Sequence, residues 1–282
     1  MEGPRRRRLP AWTRSILSAG IVLVGAGAIL GALAVILEDR FIYFPSRALA
    51  AAPSDYGLAA EELRPVASDG TGLHGWHLRG TGERALLFFH GNAGNISHRL
   101  ERAGHIVAAH GLDIFLVDYR GYGRSEGRPS EKGLYADGLA VYDLVRDRGF
   151  PPERIVVLGE SLGASVAVEV ASRRPSGALI LEMPFRSIPA MARHHYPIVP
   201  RGLISTRFDN EAKVPSLSVP TLFVAADRDA VVPPDHVRTL FEKHPGPKQL
   251  FVLRDAGHDG AYVAGPEYDA AWKSLLSSPP PL

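Results

Sequence analysis

The sequence contains no cysteine, which excludes disulfide bonds, thiolate zinc sites and a cysteine nucleophile. It also has little excess charge, because its 282 residues include 32 lysines and arginines against 30 aspartates and glutamates, for a net charge of +2. No basic stripe with interleaved aromatic residues is present. We therefore expect no nucleic-acid partner.

Sequence motifs for cofactor and metal binding are missing as well. Neither a Gly-Lys-Ser/Thr phosphate loop nor a dinucleotide fingerprint occurs, and no pair of histidines has zinc-ligand spacing with a third ligand. We therefore expect no organic cofactor and no metal. What is present is enough apolar sequence for a packed core, since 45% of the residues are hydrophobic and 22% are charged. The length suits one large α/β domain with an appendage.

The first 40 residues have the composition of a membrane anchor. Residues 15–37 form an uncharged run behind a basic segment at 1–14 that contains five arginines. As a helix with a rise of ~1.5 Å per residue, this run would be about 34 Å long, enough to span a bilayer. The basic flank predicts a cytoplasmic N-terminus, with the rest of the chain on the far (periplasmic, extracellular or lumenal) side. A cleaved signal peptide is the alternative, because residues 32–34 read Ala-Leu-Ala, although the apolar run is longer than an ordinary signal sequence.

Strands and helices alternate after a connector at 38–60, so we interpret residues 61–276 as one domain and 277–282 as a tail. Apolar runs predict eight strands, at 63–68, 73–79, 85–89, 113–117, 155–158, 178–181, 221–225 and 249–253. The alternation predicts a mostly parallel sheet flanked by helices, with antiparallel pairing only at the opening hairpin. The weakly periodic segment 184–210 is interpreted as a small cap over the strand ends.

The best-defined motif is the Gly-Glu-Ser-Leu-Gly segment at 159–163, which lies between an apolar strand and a helix-forming run. In this setting the motif predicts a sharp turn with Ser161 at its apex, and small flanking residues that let strand and helix approach closely. The N-terminus of the following helix would stabilise negative charge that develops beside the hydroxyl. We therefore predict that Ser161 is a nucleophile.

A serine nucleophile needs a base and an acid, and candidates for both follow predicted strands. His258 comes after the last strand, behind a glycine that permits a tight turn, whereas seven of the other histidines fit the surface of helices or of the cap. Asp229 comes after the penultimate strand and gives the chain order Ser, Asp, His. It is predicted to orient His258 and to stabilise its charged form. Asp227, two residues earlier, is the main alternative.

Hydrolysis by a serine also needs backbone donors for the oxyanion. One predicted donor is the N–H of Leu162, directly after the nucleophile. The other is predicted in the loop after the strand at 85–89, at Ala93, with Asn92 as the alternative. His90 and Asn95 are expected to hold the shape of this loop.

Five motifs in this order resemble those of the α/β-hydrolase superfamily, and they lie at 90–95, 118–123, 159–163, 229–233 and 257–259. The chain is most similar to a branch of single-pass, membrane-anchored serine hydrolases that includes lysophospholipid lipases, monoacylglycerol lipases and protein depalmitoylases. The resemblance extends over about residues 41–276. It implies the α/β-hydrolase fold, with a catalytic triad of Ser161, Asp229 and His258 and with Ala93 and Leu162 as oxyanion donors.

Together these features predict a membrane-anchored serine hydrolase that cleaves carboxylic ester or thioester bonds through an acyl-enzyme intermediate. Lipid-like acyl esters are the favoured substrates, because the anchor would hold the site near a bilayer. A serine peptidase of the same fold is the second enzyme hypothesis. A catalytically inactive binding or scaffold protein is the alternative from another class, and the complete set of serine, histidine and aspartate argues against it.

Overall fold

The computed structural model describes residues 38–262 and 265–277, together with three glycines at positions 20, 25 and 27. The predicted cytoplasmic segment at 1–14, the predicted anchor at 15–37 apart from those glycines, and the tail beyond residue 277 lie outside the described residues. Within the described part of the chain, no helix has both the length and the apolar character needed to cross a membrane.

The described residues contain ten strands, which form two sheets. Their bounds are β1 Phe44–Pro45, β2 Ala60–Leu63, β3 His74–Leu78, β4 Ala85–Phe89, β5 Ala93–Gly94, β6 Asp113–Asp118, β7 Ile155–Glu160, β8 Ala178–Glu182, β9 Thr221–Ala226 and β10 Lys248–Leu253. Eight strands form one sheet in the order β10-β9-β8-β7-β4-β6-β3-β2. The other two, β1 and β5, pair with each other and join the connector to the loop after β4.

Strand direction in the large sheet agrees with the expected pattern. Every neighbouring pair from β10 to β6 is parallel. Only β3 and β2, at one edge, pair antiparallel with their neighbours. The prediction of a mostly parallel, eight-stranded sheet with an opening hairpin is therefore confirmed.

Helices flank this sheet. Residues 38–42 are helical, and the described chain after them contains seven α-helices: α1 Leu100–His110, α2 Glu131–Asp147, α3 Leu162–Arg173, α4 Ile188–His195, α5 Asn210–Lys213, α6 Pro234–Lys243 and α7 Pro266–Ser277. The cap predicted at 184–210 contains α4. This helix begins where the Ser187 side chain accepts the N–H of Ala190 at 3.2 Å, with Pro189 in the first turn.

Two predicted element boundaries are wrong, and proline and asparagine explain them. The strand predicted at 63–68 is β2, which ends at Leu63, because Pro65 has no N–H to continue the ladder and Val66 makes only an isolated bridge to Gly72. The sequence also predicts a helix at about 96–110, whereas the α-helix begins only at Leu100. A 3₁₀ turn precedes it, because the Asn95 side chain accepts the N–H of Ser97 and tightens the chain there.

The central strands bring the predicted site residues to one edge of the sheet. All residues of β4, β7, β8 and β9 are buried, as expected for parallel strands covered on both faces, and this explains their continuous apolar runs. Parallel strands end at a common edge, and loops at that edge carry the sites of open α/β sheets. The turns after β4, β7, β9 and β10 therefore meet above the same part of the core.

Candidate active site

Ser161 occupies a sharp turn between β7 and α3. Its backbone has φ 52° and ψ −110°, a region that strains any residue other than glycine. The neighbouring glycines are required sterically: a Cβ on Gly159 would lie 2.4 Å from the carbonyl oxygen of Gly163, and a Cβ on Gly163 would lie 2.0 Å from that of Phe89. The N–H of Ser161 donates to the carbonyl of Glu182 at 2.8 Å, which ties the turn to β8. The structure thus places the serine at the N-terminus of α3, in the strained turn expected from the motif.

His258 and Asp229 are hydrogen-bonded to each other. The distance from Nδ1 of His258 to Oδ2 of Asp229 is 2.7 Å, and the other oxygen of this buried carboxylate accepts the N–H groups of Val231 and Val232, both at 2.8 Å. These donors fix the orientation of the carboxylate beside the imidazole. With Nδ1 carrying the proton toward Asp229, Nε2 is the nitrogen that can accept one.

Asp227 has a different role in the structure. Its Oδ1 accepts the N–H of Ala256 at 3.3 Å, which joins the loop after β9 to the loop after β10. Among the described residues, Asp229 is hydrogen-bonded to the imidazole and Asp227 is not. Of the two candidate acids, the structure brings Asp229 to His258.

The environment of His258 raises its pKa. Burial alone would lower the pKa, but the hydrogen bond and the negative charge of Asp229, together with the charges of Asp259 and Glu160, more than offset that effect. A base with a raised pKa accepts the serine proton more readily, at the cost of being protonated, and so inactive, at mildly acidic pH.

A second hydrogen-bond network ties the loop of His258 to the serine turn. Tyr262, four residues after the histidine, donates its hydroxyl to Oε2 of Glu160 at 2.8 Å. Burial raises the pKa of Tyr262, which keeps the hydroxyl protonated as a donor. Arg99 approaches the same carboxylate, with 3.3 Å between its Nε and Oε2, and lies 5.5 Å from the centroid of the tyrosine ring. Because Glu160 directly precedes Ser161, these contacts hold the base-bearing loop against the nucleophile turn.

The loop after β4 is held in place by neighbouring side chains. The buried ring of His90 bonds the carbonyl of Gly91 through Nδ1 at 2.8 Å, and burial lowers the pKa of His90 to about 3, so the ring is neutral. The Asn95 amide donates to two carbonyls of the connector, at 3.1 and 2.7 Å. Both residues therefore shape the loop, as expected.

The two candidate donor residues of the loop after β4 differ in exposure. Asn92 lines the same cavity as Ser161 and Leu162, whereas Ala93 is exposed and pairs with Phe44 in the small sheet. The carbonyl of Asn92 accepts the hydroxyl of Tyr122 at 2.8 Å and the N–H of Phe44 at 2.9 Å, and these bonds fix the peptide between Asn92 and Ala93. Leu162 stands where the sequence predicts an oxyanion donor. Ala93 stays the predicted second donor, with Asn92 as the alternative, and the N–H of Ala93 belongs to the peptide that these contacts fix.

An apolar cavity of about 500 Å³ opens beside Ser161. Its walls come from residues 38–44, from α4 and the loop that follows it, and from residues 230–232. Most of the lining side chains are aliphatic or aromatic, among them Ile188, Met191 and Val232. A cavity of this size and lining suits a flexible hydrocarbon group.

Sequence reasoning missed the contributions of Glu160, Tyr262 and the connector. The only signal for Glu160 was its place in the serine motif, where a charged residue precedes a buried turn. Tyr262 lies 102 residues further along the chain, so no local pattern links the two. Among the described residues, no group of three histidine, aspartate or glutamate side chains is placed to hold a metal ion.

Comparisons with known proteins agree with this architecture. A family model described as "Serine aminopeptidase, S33" matches residues 80–201. The alpha/beta hydrolase domain-containing protein WAV2 of Arabidopsis thaliana is 32% identical over 285 residues, which cover 91% of this chain and 90% of WAV2. The alpha/beta hydrolase domain-containing protein 17B of Xenopus laevis is 33% identical over 181 residues, which cover 64% of this chain and 62% of that protein.

A solved structure also has a similar fold. An esterase of Pyrococcus furiosus is similar with a TM-score of 0.69 at 19% identity, over 83% of this chain and 97% of the esterase chain. An identity this low bears on the fold alone, and the fold expected from the motifs is confirmed.

Proposed function

This chain belongs to the α/β-hydrolase superfamily, and on that premise we propose that it is a membrane-anchored serine hydrolase of lipid-like acyl esters or thioesters. Family membership makes it an esterase-like hydrolase. The acyl preference, the anchor and the roles of the individual site residues are the proposed part. The observation that carries the acyl preference is the apolar cavity that opens beside Ser161.

The proposed reaction has two halves. Oγ of Ser161 attacks the carbonyl carbon of the substrate while Nε2 of His258 takes the hydroxyl proton, and Asp229 stabilises the resulting imidazolium. The oxyanion accepts hydrogen bonds from the N–H of Leu162 and from one N–H of the loop after β4. Collapse of the tetrahedral intermediate expels the alcohol or thiol, which leaves with the proton held by His258.

Water completes the proposed cycle. It attacks the acyl-enzyme carbonyl while His258 takes one of its protons. When the second tetrahedral intermediate collapses, the same proton returns to Oγ of Ser161 and the carboxylic acid departs. No step needs a group beyond these side chains, the backbone donors and water.

The anchor is proposed from the uncharged run at 15–37 and its basic flank. A single span with the N-terminus in the cytoplasm would hold the catalytic domain on the far side of the membrane. Residues 38–44 support this arrangement, because they follow the run directly and contribute to the wall of the cavity. A reporter fused after residue 282 should therefore be active on the far side, and activity in the cytoplasm would refute the orientation.

A peptide bond is the second candidate substrate, because the matching family model is described as a serine aminopeptidase. An aminopeptidase needs a carboxylate that can receive the substrate's ammonium group. Glu38 lies in the cavity wall, but its carboxylate already accepts hydrogen bonds from Ser205 and Thr206. The lining therefore favours an acyl chain over a charged peptide terminus.

Hydrolysis of a matched set of substrates tests the proposal. The set comprises p-nitrophenyl esters from acetate to palmitate, a palmitoyl thioester and leucine p-nitroanilide. We expect the long-chain esters and the thioester to be cleaved with higher kcat/KM than the acetate, and Ser161→Ala to abolish all of these activities. Faster cleavage of the anilide would assign a peptidase, and no cleavage of any substrate would assign a binding protein.

A further inference from the structure

Side chains of the cap and of the helix at 38–42 expose an apolar surface beside the cavity. We call it the cap rim and define it by Phe41, Tyr196, Ile198 and Val199. Ile198 is 93% exposed, and Phe41 and Tyr196 are 64% and 56% exposed, with their rings edge to face at a centroid distance of 6.4 Å. Apolar side chains this exposed are costly in water when they form a continuous patch, and such patches mark interaction sites.

The cap rim is continuous with the cavity. Phe41, Tyr196 and Val199 also line the cavity wall, whereas Ile198 stands outside that wall. A surface that leads without interruption into an apolar pocket suits a partner that is itself apolar. It also suits a partner that can pass one of its own groups into the pocket.

The cap rim lies close to the end of the uncharged run. Residues 38–42 are helical, and the run ends at Leu37, so Phe41 is four residues, or about 6 Å of helix rise, beyond it. A chain that spans the bilayer through this run would hold Phe41 near the boundary between acyl chains and headgroups. Aromatic side chains favour that depth.

The backbone of the cap rim suits an apolar environment, because it has few unpaired N–H groups. The segment 196–200 contains Pro197 and Pro200, which have no N–H, and the N–H of Val199 is already bonded to the carbonyl of Tyr196 at 3.0 Å. Few unpaired donors would therefore lose water on insertion. The exposed Arg40, next to Phe41, could meet lipid phosphates at the same depth.

We propose that the cap rim rests in the acyl–headgroup boundary of the bilayer, so that a lipid acyl chain enters the cavity directly from the membrane. The inference rests on the proposed function, since it takes the anchor and the acyl cavity as given. It adds the surface that touches the membrane and the route by which the substrate arrives.

Fluorescence from single cysteines tests the contact, and the natural absence of cysteine makes each label unique. Ile198→Cys and Val66→Cys are labelled with an environment-sensitive fluorophore in the full chain, reconstituted in phosphatidylcholine–phosphatidylglycerol vesicles. Val66 is the matched control, because it is apolar and 63% exposed but lies in the β2–β3 hairpin. We expect a blue shift and quenching by spin-labelled lipid at residue 198 only.

Three fluorescence results would overturn the proposal. One is a water-like signal at residue 198, and another is equal lipid quenching at residues 198 and 66. The third is a blue shift at residue 198 that persists in detergent and that spin-labelled lipid does not quench, because a second copy of the chain would then cover the cap rim.

Enzyme kinetics test the proposed route of the acyl chain from the membrane into the cavity. Ile198→Asp should lower hydrolysis of a long-chain ester embedded in vesicles by roughly tenfold, the scale of losing one such side chain from an apolar phase. It should leave hydrolysis of soluble p-nitrophenyl butyrate unchanged, and Val66→Asp should change neither rate. Equal rates of vesicle hydrolysis in wild type and Ile198→Asp would contradict the route. If wild type cleaves no ester at all, the proposed function fails, while the fluorescence still decides the membrane contact.

Discussion

The sheet edge that holds Ser161 and the cap above it differ in which side chains they bury and which they expose. At the edge, polar groups are buried and hydrogen-bonded. Asp229 accepts hydrogen bonds from His258 and from two backbone N–H groups, and the hydroxyl of Tyr262 donates to Glu160. In the cap, segment 196–200 presents apolar side chains to the outside. Reacting atoms need a fixed geometry, which suits the sheet edge. An acyl chain needs an apolar path, which suits the cap.

Two carboxylates attach the cap to the rest of the molecule. Glu38 accepts the N–H and hydroxyl of Ser205 at 3.0 and 2.6 Å and the N–H of Thr206 at 2.9 Å. Glu131 accepts the N–H groups of residues 207–208 at 2.7 and 2.8 Å. These bonds are partly exposed, so each contributes modestly. We therefore expect changes at the edge to alter turnover and changes in the cap to alter substrate choice or stability.

After Ser161→Ala, which should abolish activity, the largest effect is expected at Asp229. Asp229→Asn should lower kcat/KM by about 10³–10⁴-fold, as for other serine triads whose acid is neutralised, because the imidazole loses its orienting partner. Asp227→Asn is the matched control and should stay within a few fold of wild type. Steady-state kinetics on a soluble ester measure both, and the reverse ranking would reassign the acid.

The pH profile should move in the same variant. Wild-type kcat/KM should fall as pH decreases through a pKa above 6.5, because His258 must be neutral to act as a base and its pKa is raised. In Asp229→Asn the hydrogen bond to the carboxylate and its charge, the two largest effects that raise this pKa, are lost while burial remains, so the midpoint should shift to lower pH. An unmoved midpoint would mean that Asp229 does not control the base.

Substitution of one tyrosine in each region compares the sheet edge with the cap directly. Tyr262→Phe removes the hydroxyl that holds the His258 loop to Glu160, and should lower kcat about tenfold with little change in KM. Tyr135→Phe removes a hydroxyl that donates to Glu131 at 3.0 Å beneath the cap, and should leave kcat unchanged. Equal losses in the two variants would show that the tie to Glu160 has no special role in positioning the base.

Chain-length preference should respond to the cap alone. Ala192 lies in α4 and lines the cavity. Ala192→Phe should lower kcat/KM for a long-chain p-nitrophenyl ester by about tenfold, since the larger side chain takes up space needed by the acyl group. The rate on the acetate is the internal control and should change little. Parallel losses on both esters would place the acyl chain elsewhere.

The smallest effect is expected for stability at Glu38. Burial would raise the pKa of Glu38, but the hydrogen bonds from Ser205 and Thr206 outweigh it and lower the pKa below 4.5. Glu38→Gln should therefore lower the free energy of unfolding by about 1 kcal/mol at neutral pH. Because a lowered carboxyl pKa stabilises the fold above the unfolded-state pKa, this difference should disappear as pH falls through the folded-state value. Urea titrations at several pH values measure it.

The sequence could predict those parts of the site that local chemistry determines. The turn at Ser161 follows from two glycines that no larger residue can replace, and Asp229 and His258 each follow an apolar strand. Contacts between distant loops could not be predicted in this way. The bond from Tyr262 to Glu160 depends on the path of the chain after β10.

Backbone detail was also beyond reach from sequence alone. That Asn92 lines the cavity and Ala93 is exposed depends on the pairing of β5 with the connector strand β1, which is only two residues long. No periodic pattern marks a strand so short. The exposure of the side chains in segment 196–200 could not be predicted either, because an apolar residue in a sequence does not show whether the fold will cover it.

Peptide mapping after treatment with a fluorophosphonate tests the central claim most directly. The reagent reacts with a serine that a neighbouring base activates, as Ser161 should be by His258. We predict one adduct, on the peptide that contains Ser161, and none in Ser161→Ala. An adduct on another residue, or equal labelling of the alanine variant, would contradict the account.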